Sequence, residues 1–469
     1  MALQLVWFRS DLRLNDNRAL AAAAARGPVL AVFLHSPAQW QAHGHGANKI
    51  DFWRRGVAAL AEALGELNIP LLQRGIADFD AAPRTLLALA REHHAETLHF
   101  NREYPLNERR RDAAVQAAFS AAGLGSHGHH DAVAFAPGEL LTGKGDYYGV
   151  FTPFAKAWHR HITAERLALA DAPPAQTLPG IPSEPLPALD AALADEAIVG
   201  HQWPAGEAAA DRLGHFLRYR SRHYLEQRDF PGVHGTSELS PYLALGMISY
   251  RQCLNAVMAE NDGQLNEGDA GLAAWVNELV WREFYQHVAA GFPRVCRYQP
   301  FKQGTLALEW RDDDEGFAAW CEGRTGYPLV DAGMRQLVAT GWMHNRLRMV
   351  TAMFLAKHLL IDWRRGEAFF LRHLVDGEFA ANNGGWQWAA STGTDAVPYF
   401  RLFNPTTQST RFDPDAEFIA HWVPELAPLP PRARHNPPAA ERGRLGYPRP
   451  IVEHKAARQR ALAAFKALG

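Results

Sequence analysis

The sequence is poor in cysteine. Its 469 residues include only three cysteines, Cys253, Cys296 and Cys321, which lie far apart in the chain. Three scattered thiols provide neither a disulfide framework nor a CxxC pair of the kind that holds zinc. The cysteine pattern therefore argues against a disulfide-stabilised secreted protein, predicts no metal site, and favours a reducing compartment, the cytoplasm.

Long apolar runs and a strong net charge are also lacking. No run of about 18 uncharged apolar residues occurs, which predicts that the chain has no membrane span. Met1 is followed directly by the apolar run Leu3–Phe8, which is typical of a strand and not of a signal peptide. The formal net charge is −2, so binding to nucleic acid would have to depend on a local basic patch.

The first third of the chain alternates short apolar runs with helical stretches. The apolar runs are Leu3–Phe8, Pro28–His35, Ile69–Arg74 and Glu96–Asn101. The helical stretches are Asn17–Arg26, Ala47–Leu67, Asp78–His94 and Leu106–Ala122. This order predicts a Rossmann-like α/β domain, with a parallel sheet covered on both faces. The loop after the first run, FRSDLRLNDN, contains no glycine, so the G-x-G-x-x-G turn that binds dinucleotides is absent.

The rest of the chain has a different composition. From about Asp171 to Pro204 it is rich in proline and alanine, which is typical of a long surface connection. Helical periodicity follows, and Gly333–Trp363 is predicted as two helices broken near Gly341. After about Pro428 we predict an irregular tail and a last helix from Glu453. The predicted domains are an α/β domain over residues 1–130, a linker over 131–204 and an all-α domain over 205–469.

A local excess of basic residues lies between Asp331 and His373, with seven lysines and arginines against three acids. A solvated helix face is the simplest explanation of such a run. However, Trp342, Asn345 and Met349 lie among these cations, and a basic surface with aromatic and amide side chains also suits nucleic acid.

The segment NNGGWQWAAS, which begins at Asn382, combines two asparagines, two glycines and two tryptophans. Core filling explains most individual tryptophans. Amides and glycines beside aromatic rings also suit a flat polar heterocycle, because amides read its edge and glycines admit close approach. We predict a helix here, on which Trp386 and Trp388 would diverge by about 200°. The segment His234–Ser240 (HGTSELS) offers groups that hold phosphate at a helix N-terminus, or a plain N-cap.

Together these segments resemble the photolyase/cryptochrome family over the whole chain. The resemblance rests on LVWFRSDLRLNDN, VFTPF, RDFPGVHGTSELSPYLALG, WVNELVWREFY, GYPLVDAGMRQLVATGWMHNRLRM and LVDGEFAANNGGWQWAASTGTDAVPYFRLFNPTTQ. Within the family the chain is most similar to bacterial class I photolyases of cyclobutane pyrimidine dimers. This implies an all-α FAD-binding C-terminal domain and light-driven repair of DNA by electron transfer from reduced FAD.

The resemblance also implies roles for particular residues. Those that would bind FAD are Tyr224, Thr236, Ser237, Leu239, Ser240, Arg348, Asp376, Glu378 and Asn382, with Asn382 over the flavin N5 atom. Those that would relay electrons between the surface and the flavin are Trp386, Trp363 and Trp310. Those that would meet the flipped dimer are Glu278, Trp281, Asn345, Met349 and Trp388. Those that would hold flanking phosphates are Arg228 and Arg346.

Three positions indicate the subgroup. Photolyases of (6-4) photoproducts carry histidines where this chain has Asn345 and Met349, and cryptochromes usually carry cysteine or aspartate where it has Asn382. These residues favour repair of cyclobutane dimers. The alternatives are a cryptochrome photoreceptor without repair activity and a flavin oxidoreductase that uses a diffusible reductant.

Two departures from the family pattern concern the cofactors. Glu378 stands where relatives often have aspartate, and Arg297 stands where folate-binding relatives often have lysine. The residues that match antenna contacts are Asn107, Glu108, Cys296 and Arg297. We predict methenyltetrahydrofolate as the antenna, with a deazaflavin or no antenna as alternatives, and a monomer that acts on dimer-containing DNA.

Overall fold

A computed structural model describes residues 2–177, 180–188, 198–396 and 398–468. The chain forms two compact units. The first comprises Met1–Arg222 and Ser237–Pro293, and the second comprises His223–Thr236 and Arg294–Gly469. These units divide the chain at other points than the predicted domain bounds, which stay a prediction.

The first unit is built on a parallel sheet of five strands in the order β3-β2-β1-β4-β5. The strands are β1 (Gln4–Phe8), β2 (Val29–His35), β3 (Leu71–Gly75), β4 (Thr97–Asn101) and β5 (Gly125–His129). Every residue of β1 and β2 is buried, so both faces of the sheet are covered, as predicted. The strand β5 was not predicted, because its sequence, GSHGH, has two glycines and no β-branched or aliphatic residue.

The first unit also contains helices, some of which pack on the sheet. They are Arg18–Ala24, Pro37–Ala42, Ala47–Glu66, Ala82–Glu92, Leu106–Ala121, Phe151–His161, Ala164–Leu167, Ala208–Tyr219, Ser240–Ala244, Tyr250–Glu260 and Ala270–Gly291. Where one helix was predicted over Asp78–His94, a 3₁₀ turn at Phe79–Ala81 precedes the helix.

The glycine-free loop after β1 is buried and ionic. Arg251 donates to Asp16 Oδ2 at 2.8 Å and to Asp131 Oδ1 at 2.5 Å, and Arg13 also pairs with Asp131. Arg251 and Asp16 have exposed fractions of 0% and 1%, so these charges satisfy one another away from water. In place of a phosphate-binding turn, the loop ties the Tyr250–Glu260 helix to the first strand.

The predicted linker is only partly irregular. Residues 171–177, 181–188 and 198–199 have no regular secondary structure, whereas 178–179 and 189–197 lie outside the described residues. The range 131–204 also contains the helices Phe151–His161 and Ala164–Leu167.

The second unit is helical in its described residues. Its helices are Tyr224–Gln227, Asp314–Cys321, Pro328–Thr340, Asn345–Met353, Trp363–His373, Phe379–Ala389, Pro405–Phe412, Glu417–Trp422, Pro431–Arg434, Ala439–Leu445 and His454–Lys466, with a π-helical turn at Phe354–Leu359. The break at Gly341 is confirmed, because this residue ends its helix with a φ of 69°. The prediction of an irregular tail was wrong at Pro431–Arg434 and Ala439–Leu445, where prolines precede or begin short helices. None of the helices in the described part of the chain is both long and apolar enough to cross a bilayer.

Candidate active site

The segment NNGGWQWAAS contributes to the helix Phe379–Ala389, as predicted for its two tryptophans. Trp386 is 2% exposed and belongs to the core of the second unit. Trp388 is half-buried and lines a cavity. The helix therefore separates the two indoles, one toward the core and the other toward an open space.

Trp386 packs tightly against the helix Trp363–His373. A Cβ atom at Gly366 would overlap the Trp386 ring, so glycine is required there for the two helices to approach this closely. The Phe370 and Trp320 rings lie 4.9 and 5.9 Å from Trp386, both in T-shaped arrangements. Trp320 was not predicted as a neighbour of Trp386, because 66 positions separate the two residues in the chain.

The other two relay candidates lie at different depths in the same unit. Trp363 is fully buried in the hydrophobic core, and Trp310 is partly buried and packs against that core. Their role as an electron path stays a prediction.

A buried carboxylate lies beside an arginine in the second unit. Arg348 donates to Asp376 Oδ2 at 2.8 Å and to the carbonyl oxygen of Met343 at 2.8 Å. Asp376 is 7% exposed, and among the described residues its Oδ1 has no hydrogen-bond partner although it is buried. An unpartnered buried oxygen costs free energy. Asp376 Oδ1 is therefore suited to accept a hydrogen bond from a bound ligand. Glu378 is half-buried at the N-cap of the next helix.

A chain of amide hydrogen bonds orients Asn382. Its Nδ2 donates to the carbonyl oxygen of Glu367 at 3.1 Å, so its Oδ1 is left to accept from another group. Asn383 donates to Glu367 Oε1 at 3.0 Å and accepts from Gln387 at 2.8 Å. Burial raises the pKa of Glu367 to about 7. Glu367, Asn383 and Gln387 were not predicted as part of the site, although helical spacing places the two amides on one face.

A cavity of about 530 Å³ lies within the second unit. Its lining is Asp229, Arg346, Met349, Trp388, Arg401, Leu402, Phe403, Asn404, Thr407, Gln408, Arg411 and Phe412. Three arginines face one acid, and that acid, Asp229, pairs with Arg346 at 2.6 Å. Arg346 also lies over the Phe412 ring at 4.3 Å. The cavity therefore combines cationic and aromatic groups.

The structure places only some of the predicted dimer and phosphate contacts at this cavity, and the roles of all of them stay a prediction. Met349, Trp388 and Arg346 line it as the resemblance implies, whereas Asn345 is exposed and lies outside the described lining. Arg401 and Arg411 were missed. The segment FRLFNPTTQSTRF, which contains both, combines arginines with aromatic residues, and this pattern is a signal for nucleic acid.

The other predicted residues are divided between the two units, and Glu278, Trp281, Ser237, Leu239 and Ser240 lie in the first. Glu278 and Trp281 are half-buried on the helix Ala270–Gly291, and the Trp281 ring stacks on Phe151 at 3.6 Å. Ser237 accepts a hydrogen bond from Trp275 at 3.2 Å. Leu239 is buried, and Ser240 begins a short helix. Tyr224, which is buried beneath Arg228 at 5.2 Å, and Thr236 belong to the second unit.

The antenna candidates are also divided between the units. Asn107 Nδ2 donates to His43 Nε2 at 3.1 Å, and Glu108 lies 3.5 Å from the same ring. Burial raises the pKa of Glu108 to about 7, and burial lowers the pKa of His43 to about 4. Both groups are neutral between these values, so their contact is not an ion pair there. Cys296 and Arg297 lie in a turn of the second unit.

Comparisons with known proteins decide the family. Residues 4–177 match the family model described as DNA photolyase, and residues 275–467 match the FAD binding domain of DNA photolyase. The chain belongs to the DNA photolyase family. Among photolyases it is 48% identical to a deoxyribodipyrimidine photo-lyase of Salmonella typhimurium, over 100% of the chain and 99% of the relative. The Escherichia coli deoxyribodipyrimidine photo-lyase is 45% identical over the same shares.

Solved photolyase and cryptochrome structures share this fold. A class III photolyase from Agrobacterium tumefaciens has a TM-score of 0.89 and 37% identity, covering 100% of this chain and 98% of that chain. A cryptochrome from Synechocystis has a TM-score of 0.84 and 29% identity, covering 99% of each chain. Because photolyases and cryptochromes share this fold, the fold by itself does not distinguish between them.

The residues of the second unit fit the FAD of this photolyase domain. The unpartnered Oδ1 of Asp376 can accept from a hydroxyl or N–H of the cofactor. The Arg348 cation, beside that carboxylate, offers further N–H donors. Asn382 presents a further acceptor. These acceptors and the arginine donors fit the polar edge of a flavin.

Proposed function

We propose that this chain is a deoxyribodipyrimidine photolyase, which uses light to split cyclobutane pyrimidine dimers in DNA. The observation that carries the proposal is the helix Phe379–Ala389, which offers Asn382 as an acceptor and places Trp388 in a cationic cavity. The names of the relatives at 48% and 45% identity support it. Reduced FAD, when bound and excited by light, supplies the electron that opens the cyclobutane ring and is then returned, so the overall reaction is redox-neutral.

The protein binds and orients the reactants. Trp388 and Met349 provide apolar surface for the flipped pyrimidines, which leave the duplex at a cost of roughly a few kcal/mol, lowest for damaged bases. Arg346, Arg401 and Arg411 provide cations for the phosphates that flank the dimer. We assign Glu278 and Trp281 to the dimer as well. A protonated Glu278 would donate a hydrogen bond to a pyrimidine carbonyl oxygen and so stabilise the negative charge that develops there.

Light-dependent turnover tests the function. The FAD-loaded, reduced protein is illuminated with an oligonucleotide that carries one thymine dimer, and intact thymines are measured by chromatography. Restoration of the bases in light and not in darkness is the expected result. Bound flavin without turnover would indicate a cryptochrome, and turnover in darkness with a nicotinamide reductant would indicate an oxidoreductase.

Salt dependence tests the phosphate contacts. Each phosphate contact should add about −0.7 to −0.9 to the slope of log K against log salt concentration for dimer DNA. Arg401→Gln should reduce the magnitude of this slope by about one contact, because it removes one lining cation. The matched control is Arg432→Gln, an exposed arginine outside the described lining, which should leave the slope unchanged. Equal slopes for all three proteins would remove Arg401 from the DNA site.

The antenna proposal centres on Glu108. A carboxylate accepts the amino and ring N–H hydrogens of a pterin as a pair, so Glu108→Gln should release a methenyltetrahydrofolate antenna. Because the pKa of Glu108 is about 7, retention by the wild-type protein should increase as pH rises through neutrality. Folate absorbance after gel filtration measures both effects, with the exposed Glu96→Gln as the control. Unchanged retention in Glu108→Gln would show that the contact is wrong, whereas flavin-driven repair should persist.

We also propose a cytoplasmic monomer. The cytoplasm rests on the scarcity of cysteine, with three among 469 residues. The monomeric state is carried over from the resemblance alone.

A further inference from the structure

Lys357 is a lysine without solvent access. It lies in the π-helical turn Phe354–Leu359, and its exposed fraction is 0%. Its Nζ donates to the carbonyl oxygen of Arg401 at 3.1 Å. Among the described residues no carboxylate pairs with it, and the charge that acts on it is the like charge of Lys302. Burial lowers the pKa of Lys357 to about 7, because an ammonium is poorly solvated there.

This lysine supports one wall of the cavity. Arg401, Leu402, Phe403 and Asn404 line the cavity in sequence. Behind them, Lys357 holds the Arg401 carbonyl, and Met353, one turn earlier, accepts from the Phe403 N–H at 3.2 Å. The Asn404 side chain then caps the helix Pro405–Phe412, which also lines the cavity. Removing the contact at Lys357 would release one end of this wall.

The protonation of Lys357 changes the charge behind that wall. An added positive charge inside the protein acts at lower effective dielectric than in water, and Arg401 and Arg411 already make the lining cationic. If protonation of Lys357 raises the affinity of the cavity for an anion, binding of that anion raises the affinity of Lys357 for its proton by the same factor.

Other titratable groups lie on the elements packed against this turn. His358 contacts His454 at 2.9 Å, its carbonyl accepts from Arg460, and its pKa is lowered by burial to about 3. Burial also lowers the pKa of His454, so neither imidazole gains a proton above neutrality. Burial raises the pKa of Glu367 to about 7. The remaining charged or titratable groups on these elements are Arg346, Arg348, Asp314, Glu315, Cys321, Arg364, Arg365, Arg372, His373, Lys455, Arg458 and Lys466.

We propose that Lys357 is a positioning residue for damaged DNA, whose protonated amine fixes the Arg401–Asn404 wall and strengthens binding of a DNA phosphodiester at the cavity. This rests on the proposed function, since dimer-containing DNA is the polyanion concerned. Binding of that DNA weakens as Lys357 loses its proton.

The test measures dimer binding against pH. The FAD-loaded protein is titrated in darkness with a single-stranded oligonucleotide carrying one thymine dimer, from about pH 6 to about pH 9 at constant ionic strength, a range that spans the pKa of about 7. The wild-type Kd should rise about tenfold over this range, as expected for the loss of one charge near the ligand. Methionine is similar in length to lysine and carries no charge. Lys357→Met should therefore have, at every pH, the higher Kd that the wild-type protein reaches at about pH 9. Lys302→Met removes an exposed like charge that disfavours protonation of Lys357, so it should keep a pH-dependent Kd with the midpoint moved to higher pH.

Three results would overturn the proposal. The first is a wild-type pH profile in Lys357→Met, whether or not its affinity is uniformly lower, because a purely structural role would give it. The second is a Kd of Lys302→Met that does not change with pH. The third comes from calorimetry of the wild-type protein near pH 7 in buffers of different ionisation enthalpy, where no proton uptake on dimer binding would contradict it even if the variant does not fold. Failure of the proposed function has another outcome, since the wild-type protein would then bind damaged and undamaged DNA equally.

Lys357→Met is nevertheless expected to fold. The unfolded chain holds the lysine proton up to the ordinary pKa of 10.5, while the folded chain loses it near 7. Between these values the unfolded state binds more protons, so burial of Lys357 destabilises the fold increasingly as pH falls toward 7. Replacement by methionine removes that cost.

Discussion

Trp386→Phe should nearly abolish the photoreduction of oxidised flavin and leave dimer repair by the chemically reduced protein intact. Phenylalanine keeps an aromatic body beside Gly366 and Phe370, so the fold should survive with a small cavity costing about 1–3 kcal/mol. It lacks the easily oxidised indole through which we expect the electron to pass. The measurement is flavin absorbance under illumination with an external donor, followed by a repair assay after reduction with dithionite.

The matched control for this prediction is Trp320→Phe. Trp320 is fully buried, lies 5.9 Å from Trp386 and donates from its indole N–H to the carbonyl oxygen of Thr351 at 3.1 Å, so its replacement disturbs the fold at least as much as Trp386→Phe does. Wild-type photoreduction in Trp386→Phe would exclude Trp386 from the relay. Loss of repair in the pre-reduced Trp386→Phe protein would instead make this residue structural.

Asp376→Ala should cause the second large effect, a loss of FAD of at least tenfold in occupancy after purification. The substitution removes the carboxylate whose Oδ1 has no partner among the described residues, and it leaves Arg348 without its ion-pair partner. The free energy of unfolding of the flavin-free protein should fall by about 1–3 kcal/mol, below the value for a fully buried pair because Arg348 is 26% exposed. Flavin absorbance per protein and urea unfolding measure the two effects.

Asp229→Ala is the control for Asp376→Ala. It also breaks an arginine–carboxylate pair of the second unit, with Arg346, but we assign that pair to the DNA cavity. Its flavin content should be unchanged. Equal flavin loss in both variants would show that general destabilisation, and not a contact from Asp376, releases the cofactor.

Local pattern predicted the elements that depend on short-range periodicity. Helical spacing placed Trp386 and Trp388 on one helix, and the alternation of apolar runs predicted four of the five strands. The strand β5 was not predicted, because its conformation depends on pairing with β4 and not on its own glycines and histidines.

Contacts between distant segments could not be predicted from local pattern. A glycine inside a helix, such as Gly366, indicates lower helix stability, and only the packed structure shows that the Trp386 ring requires it. The contact between Lys357 and the Arg401 carbonyl joins residues 44 positions apart. Lysine is rarely buried without a partner, so the sequence indicated an exposed side chain there. The pairing of Arg348 with Asp376 was expected only because of the family resemblance.

The buried ionic loop after β1 has a consequence for synthesis on the ribosome. Arg251, the cation that Asp16 and Asp131 share, is made more than a hundred residues after the last strand, β5, which ends at His129. Until that arginine has left the ribosome, burial of the two carboxylates would leave charge without its full complement of partners, which disfavours a closed loop. A nascent chain that contains all five strands therefore still cannot complete its first compact unit, and the loop after β1 remains open to chaperones during this interval.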